Sequence, residues 1–184
     1  MARAGDELLG PTSRRLVFRR TAADTNGELV EVDAYHKPGG NPPPVHYHPR
    51  QEERFEVVSG ELFTHVDGVE RTYGAGETFV LPPGSRHSMH NAGNEEVHVI
   101  WQPRPALKTE TFFETMWCLA RDGKTNKKGV PNLLHVAVLM REYQDEFRLA
   151  QLPFAIQKLL FGLLAPIGGF LGYRGRYPEY SGPE

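Results

Sequence analysis

The stretch Pro44-Val45-His46-Tyr47-His48-Pro49-Arg50-Gln51-Glu52-Glu53-Arg54-Phe55-Glu56-Val57-Val58-Ser59-Gly60 decides the fold class. In its first part, the period of two in an extended strand aims His46 and His48 to one face and Tyr47 to the other. In its second part, Glu53, Phe55 and Val57 alternate with polar or exposed-type neighbours, the pattern of a strand with one buried face. Glu53 thereby starts the inward set, and Phe55 and Val57 are expected as core beneath it. His87, which follows the tight turn Pro82-Pro83-Gly84, is the candidate fourth donor.

Working outward, short β-rich runs recur before Pro103-Arg104-Pro105: Leu16–Arg19, Leu29–Tyr35, Glu53–Ser59, Leu62–Val66, Val69–Tyr73, Thr78–Leu81 and Val97–Gln102. The breaks between them carry Gly39-Gly40-Asn41-Pro42, Ser59-Gly60, Asp67-Gly68, Gly74-Ala75-Gly76 and Pro82-Pro83-Gly84. Asp67-Gly68 between two apolar runs is a strong hairpin signal. Close-set strands with glycine corners predict an antiparallel sandwich or small barrel.

After Pro105 the period becomes helical. Thr111 with Glu114 makes a capping box ahead of Phe112, Phe113, Met116, Trp117 and Ala120, and Gly123 ends that helix. A second helix is expected from Pro131-Asn132, burying Leu133, Leu134, Ala137, Val138 and Met140. A third is expected from Pro153 through Leu164, stopped by Pro166 and Gly168-Gly169. The organisation predicted is a tail at 1–13, a β-barrel at 14–104, and a helical extension at 105–184 packed on the barrel or on a dimer partner.

Two spaced motifs carry a family resemblance. Gly40, His46, His48, Glu53 and Gly60 form the first, and Gly76, Pro82, Gly84, His87 and Asn91 the second. In both, the chain resembles the cupin superfamily, and no position departs from the pattern. The resemblance implies a mainly β, double-stranded β-helix (jelly-roll) barrel, followed here by about three helices that lie outside it. It also implies a metal held by His46, His48, Glu53 and His87.

The donor set agrees with that implication. Neutral imidazoles and a carboxylate suit a divalent Fe, Mn, Ni, Co, Cu or Zn ion, and the lone Cys118 gives no thiolate site. Three imidazoles and a carboxylate converging without an ion would each need a separate partner, and the buried carboxylate would be costly. Four protein ligands leave room for a substrate or oxygen on a five- or six-coordinate ion.

The cupin fold hosts many chemistries, so activity must come from the site. The reading favoured is a metal-dependent, dioxygenase-like oxidoreductase acting on a small organic substrate that binds the metal. The alternatives are a non-redox isomerase, cyclase or decarboxylase, and a non-enzymatic module that captures a small ligand.

Composition bounds the partners. At 184 residues with a formal net charge of -2, the chain offers no electrostatic reason to expect nucleic acid. One cysteine excludes an internal disulfide, and the charged Met1–Glu7 stretch lacks the apolar run of a secretory leader, so the cytoplasm is the expected location. Leu152–Tyr173 is apolar but interrupted, and three roles are open to it: packing on the barrel, burial in a homodimer, or contact with a membrane surface. Tyr173–Pro178 is placed to clasp a partner. The basic loop Arg121–Gly129 reads either as an anion-binding flap or as a solvated turn. His36 reads as a surface or packing residue, or as a group reaching the pocket.

Overall fold

The structure, a computed structural model, describes residues 2–10, 14–40 and 42–181. Met1 and residues 11–13 of the expected tail, Asn41 of the Gly39–Pro42 break, and residues 182–184 lie outside the described residues.

Two antiparallel sheets face each other. The six-stranded sheet runs β1(Glu7–Leu9), β2(Arg14–Arg20), β3(Glu31–His36), β10(Val97–Arg104), β5(Glu52–Ser59), β8(Thr78–Leu81). The five-stranded sheet runs β11(Arg148–Leu149), β4(His46–Tyr47), β9(His87–Asn91), β6(Leu62–Val66), β7(Val69–Tyr73). All seven expected strands are present, and the chain is an antiparallel β-sandwich with helices after it. Three further strands escape a reading based on apolar runs: β1 and β11 have only three and two residues, and the five of β9 (His87–Asn91) are mostly polar.

Period-two alternation builds the core. Val97, Val99 and Trp101 of β10 are buried, as are Phe55 and Val57 of β5, Val32 and Ala34 of β3, and Leu16 and Phe18 of β2. The β6–β7 hairpin turns at Asp67 (φ 48°) and Gly68 (φ 88°), both left-handed as a type I′ turn requires.

Helix α1(Thr109–Arg121) starts two residues before the expected capping box. Thr111 is therefore interior, Lys108 is the cap, and the Lys108 backbone N–H donates to Glu146 Oε1 at 3.1 Å. Gly123, at φ 70°, ends the helix as expected. In α2(Leu133–Glu142), Asn132 caps the helix by accepting from the His135 N–H. Its buried face is His135, Ala137 and Leu139, whereas Leu133, expected inside, is exposed. The helix turns its histidine inward because Tyr173 stacks on the ring at 4.8 Å and the Arg174 carbonyl meets Nε2.

Helix α3(Phe154–Phe170) corrects the expected stop at Pro166. Pro166 removes one N–H, but the Gly162 carbonyl left behind lies on an exposed turn open to solvent. Gly168 belongs to the helix because α2 runs against it: a Cβ there would lie 2.7 Å from the Leu134 carbonyl oxygen.

The chain after α3 folds back on its own helices. Tyr143 donates to the Gly175 carbonyl, Tyr180 to Asp122, and Lys124 to the Tyr180 hydroxyl. Tyr173–Pro178 and the basic loop thus have partners within the chain. Among the described residues, no helix is long and apolar enough to cross a membrane.

Candidate metal centre

The two sheets bring the four sequence-selected donors together. His46 on β4 is the register partner of His87 on β9, and His48 follows β4 directly. One ligand atom from each of these three histidines lies within 4.8 Å of the others. Glu53 arrives from the opposite sheet, on β5, with Oε1 3.4 Å from His48 Nε2 and Oε2 3.2 Å from His87 Nε2.

Backbone carbonyls set the tautomers. His46 Nδ1 faces the Pro44 oxygen at 2.9 Å, His87 Nδ1 the Ser85 oxygen at 3.0 Å, and His48 Nδ1 the Glu146 oxygen at 2.5 Å. A carbonyl only accepts, so each Nδ1 carries the proton and each Nε2 presents a lone pair. The close approaches to Glu53 are then acceptor against acceptor. Glu53 Oε1 accepts from Trp101 Nε1 at 2.8 Å, while the buried Oε2 has no hydrogen-bond partner among the described residues.

The titrations follow from that packing. Burial pushes the Glu53 carboxyl up to about 7, with His87 and the Trp101 hydrogen bond pulling the other way. Burial takes His48 down to about 4 against its hydrogen bond to Glu146, and takes His46 well below the usual imidazole range, helped by His48 and His87. His87 is lowered by burial, with Glu53 opposing.

The residues fit a cation. Two donors each about 2.1 Å from one ion at ~90–110° stand about 3.0–3.4 Å apart, which matches the separations from Glu53 to His48 and His87. A divalent ion would also give the orphaned Oε2 its partner and neutralise the carboxylate.

Some supporting residues were not legible in the sequence. Gln51, between two of the donors, is buried and donates to the Pro105 and Ala106 carbonyls and Thr109 Oγ1, pinning the ligand strand to the start of α1. The stretch after α2 supplies the Glu146 carbonyl to His48 and lays Phe147 on His46, with ring centroids 4.6 Å apart at 23°. Phe147 is backed in turn by Phe112 of α1 at 5.6 Å. Strand alternation through Val97 and Val99 could have aimed Trp101 inward, but no local pattern marks Glu146 or Phe147.

Other candidates have separate roles. Asn91 Nδ2 donates to the His36 and Glu95 carbonyls and Oδ1 accepts from Gly93, so it ties strand ends together. The three-histidine group does not include His36, whose ring burial lowers to about 3 with help from Arg14.

A two-sheet antiparallel sandwich with three imidazoles and a carboxylate gathered from both layers defines the class of protein. Residues 35–103 match the family model of the Cupin domain, so this stretch of the chain is a cupin domain. Among curated relatives, oxalate oxidase 1 of Hordeum vulgare is 32% identical over 124 residues, covering 54% of this chain and 61% of that protein, less than two thirds of its length. The probable oxidoreductase yanE of Aspergillus niger is 26% identical over 190 residues, covering 93% of this chain and 70% of that protein. A solved RmlC-like cupin from Shewanella frigidimarina overlaps with a TM-score of 0.47 and 26% identity, over 55% of this chain and 84% of that one.

Proposed function

We propose that this protein is a metal-dependent oxidoreductase, dioxygenase-like in using O₂, that holds one divalent transition metal through His46, His48, Glu53 and His87 and acts on a small organic substrate able to ligate it. The observation that carries the reading is the clustering of three imidazoles, one ligand atom of each within 4.8 Å of the others, beside the buried Glu53 carboxylate, whose Oε2 lies 3.2 Å from His87 Nε2 and has no donor among the described residues. The oxidoreductase class draws support from relatives named as oxalate oxidase and oxidoreductase. The bound ion would supply Lewis-acid and redox chemistry.

The chain's own residues hold and shield that centre. The carbonyls of Pro44, Ser85 and Glu146 fix imidazole orientation, and the Trp101 indole holds the carboxylate. Phe147 covers one side of His46 and limits water there. The test is metal analysis of the purified protein with an oxygen-uptake screen, starting with oxalate and then other small organic acids. Copurified Fe, Mn or Cu with substrate-dependent oxygen loss is expected; zinc without uptake refutes the redox reading. The double variant His46→Ala/His48→Ala should lose its metal while keeping the β-sheet circular dichroism of the wild type. Unchanged stoichiometry refutes the site.

We further infer a homodimer through α3. Ile156, Leu159, Leu160, Leu163, Ile167, Phe170 and Leu171 are exposed, Phe170 to 92% and Leu163 to 65%, on a face separate from the Phe161, Ala165 and Gly168 face buried against α2. At roughly 100 Å² each, these seven make about 700 Å² of apolar surface, above the largest patch of most monomers and near the ~800 Å² each partner gives a standard interface. Ile156 and Phe170, and Leu159 and Ile167, lie at equal distances on either side of Leu163, so an antiparallel second copy would set Ile156 opposite Phe170, Leu159 opposite Ile167 and Leu163 opposite Leu163. Lys158, the only charged residue of α3, lies off the stripe, whereas helices that lie in membrane surfaces are rich in Lys and Arg beside the apolar face. Light scattering should give a dimer for the wild type and a monomer for Leu163→Glu. A monomeric wild type, above all one that floats with anionic vesicles, refutes the dimer.

A further inference from the structure

Between α2 and the first half of α3 lies a cavity of about 290 Å³ that no ligand of the candidate metal centre enters. Its size is at the small end of ligand sites, which run roughly 300–1,000 Å³. Its lining residues include Phe147, Phe154 and Phe161 together with three cationic ones, Arg141, Arg148 and Lys158, and no Asp or Glu is among them. In a chain of net charge -2, that local excess of positive charge around aromatic walls is a specific feature.

Arg148 is held ready. Its guanidinium lies 3.5 Å over the Phe154 ring, its Nε donates to the Gln144 carbonyl at 2.7 Å, and Asp145 stands 3.8 Å from Nη2. Asp145 is shared with Arg50 at 3.0 Å, which divides its charge between two guanidinium groups. A stacked, half-buried guanidinium loses little freedom when it grips a planar carboxylate, and it can do so through two parallel N–H donors. The neighbouring rings would take up the carbon skeleton, and Arg141 and Lys158 would add charge at the exposed margin.

We propose that this cavity binds a small organic acid, its carboxylate against Arg148 and Lys158 and an aromatic or branched skeleton among Phe147, Phe154 and Phe161. Phe147 is shared with the histidine group, since it is one of the residues lining the cavity and its ring stacks on His46. An acid bound there lies one ring away from the candidate metal centre. The site does not depend on the metal reading, because none of the three cations is a proposed ligand.

The test uses the full chain kept metal-free with chelator at low salt, so that direct ligation to a metal plays no part. The probe is 4-fluorobenzoate, followed by ¹⁹F NMR titration, with neutral 4-fluorobenzamide as the isosteric comparator. The acid is expected to saturate at millimolar concentration or below and the amide to bind about tenfold weaker or less. Arg148→Gln should weaken the acid about tenfold and leave the amide unchanged. Lys158→Gln, at an exposed position where folding is not at risk, should weaken the acid about two- to fivefold. Equal binding of acid and amide, no binding of either, or acid affinity unmoved by Lys158→Gln in a folded variant overturns the proposal. The metal reading fails on a different measurement, the metal content of the untreated protein.

Discussion

Glu53→Gln separates what the buried carboxylate costs the fold from what it gives the metal centre. In the metal-free chain, burial raises the carboxyl from its ordinary 4.5 to about 7. Between those values the folded chain keeps a proton that the unfolded chain has released. The stability this confers is therefore complete at low pH and is lost as pH rises from about 4.5 through 7. At ~1.36 kcal/mol per pH unit of displacement, the loss amounts to about 3 kcal/mol. Glutamine keeps an Oε1 acceptor for Trp101 Nε1 and cannot ionise. His46 and His48 act with the opposite sign. They are neutral when folded, while the unfolded chain protonates them below the ordinary 6.5, so their contribution is gained as pH rises towards that value. Those contributions are common to both chains and cancel in the difference. Urea denaturation in chelator, read by circular dichroism from pH 4.5 to pH 8, should thus show the variant gaining about 3 kcal/mol on the wild type. Adding Mn²⁺ or Zn²⁺ should then stabilise the wild type more than the variant, because a neutral amide is the poorer ligand. A gain below about 1 kcal/mol across that pH range, or equal stabilisation of both chains by metal, refutes the assignment of a buried, ion-requiring carboxylate.

Two further substitutions probe the surroundings. Trp101→Phe removes the one hydrogen-bond donor to the Glu53 carboxylate among the described residues while leaving a ring against Phe113, and should weaken metal binding in chelator competition by about 10–100-fold; a change under about threefold in a folded variant would show that the indole does not support the site. Gly168→Ala places a methyl 2.7 Å from the Leu134 carbonyl oxygen and 2.8 Å from Val138 Cγ2, and should destabilise the chain by about 1–3 kcal/mol despite the better helix propensity of alanine. Metal stoichiometry should be unaffected, and a gain in stability would mean that α2 and α3 are not packed as closely as described.

How legible each part was depends on the range over which its cause acts. Strand β5 could be read because Glu53, Phe55 and Val57 repeat at a period that the pleat itself imposes, and the β6–β7 hairpin because Asp67-Gly68 accepts a turn that most residues resist. The donors were legible for the same local reason, since His46 and His48 lie two residues apart. Pro166 misled because a proline signal concerns one hydrogen bond, whereas continuation of α3 depends on Phe161, Ala165 and Gly168 packing against α2. Thr111 and Glu114 misled in a related way: the local capping box yielded to Glu146, which accepts the Lys108 N–H from 38 residues further on.

That last substitution of a distant partner for a local one also ties the helical extension to the candidate metal centre. The Glu146 side chain anchors the start of α1, its carbonyl holds the His48 imidazole across 98 residues of sequence, and the next residue, Phe147, covers His46. Strand β11, immediately after, pairs with the ligand strand β4 and fixes that turn against the barrel. The motifs between Gly40 and Asn91 therefore specify which atoms can meet a cation, and the extension specifies how two of those imidazoles are oriented and what lies beside them. On the proposed function, residues of the extension are therefore the place to seek the difference between this chain and cupins that share the same four residues.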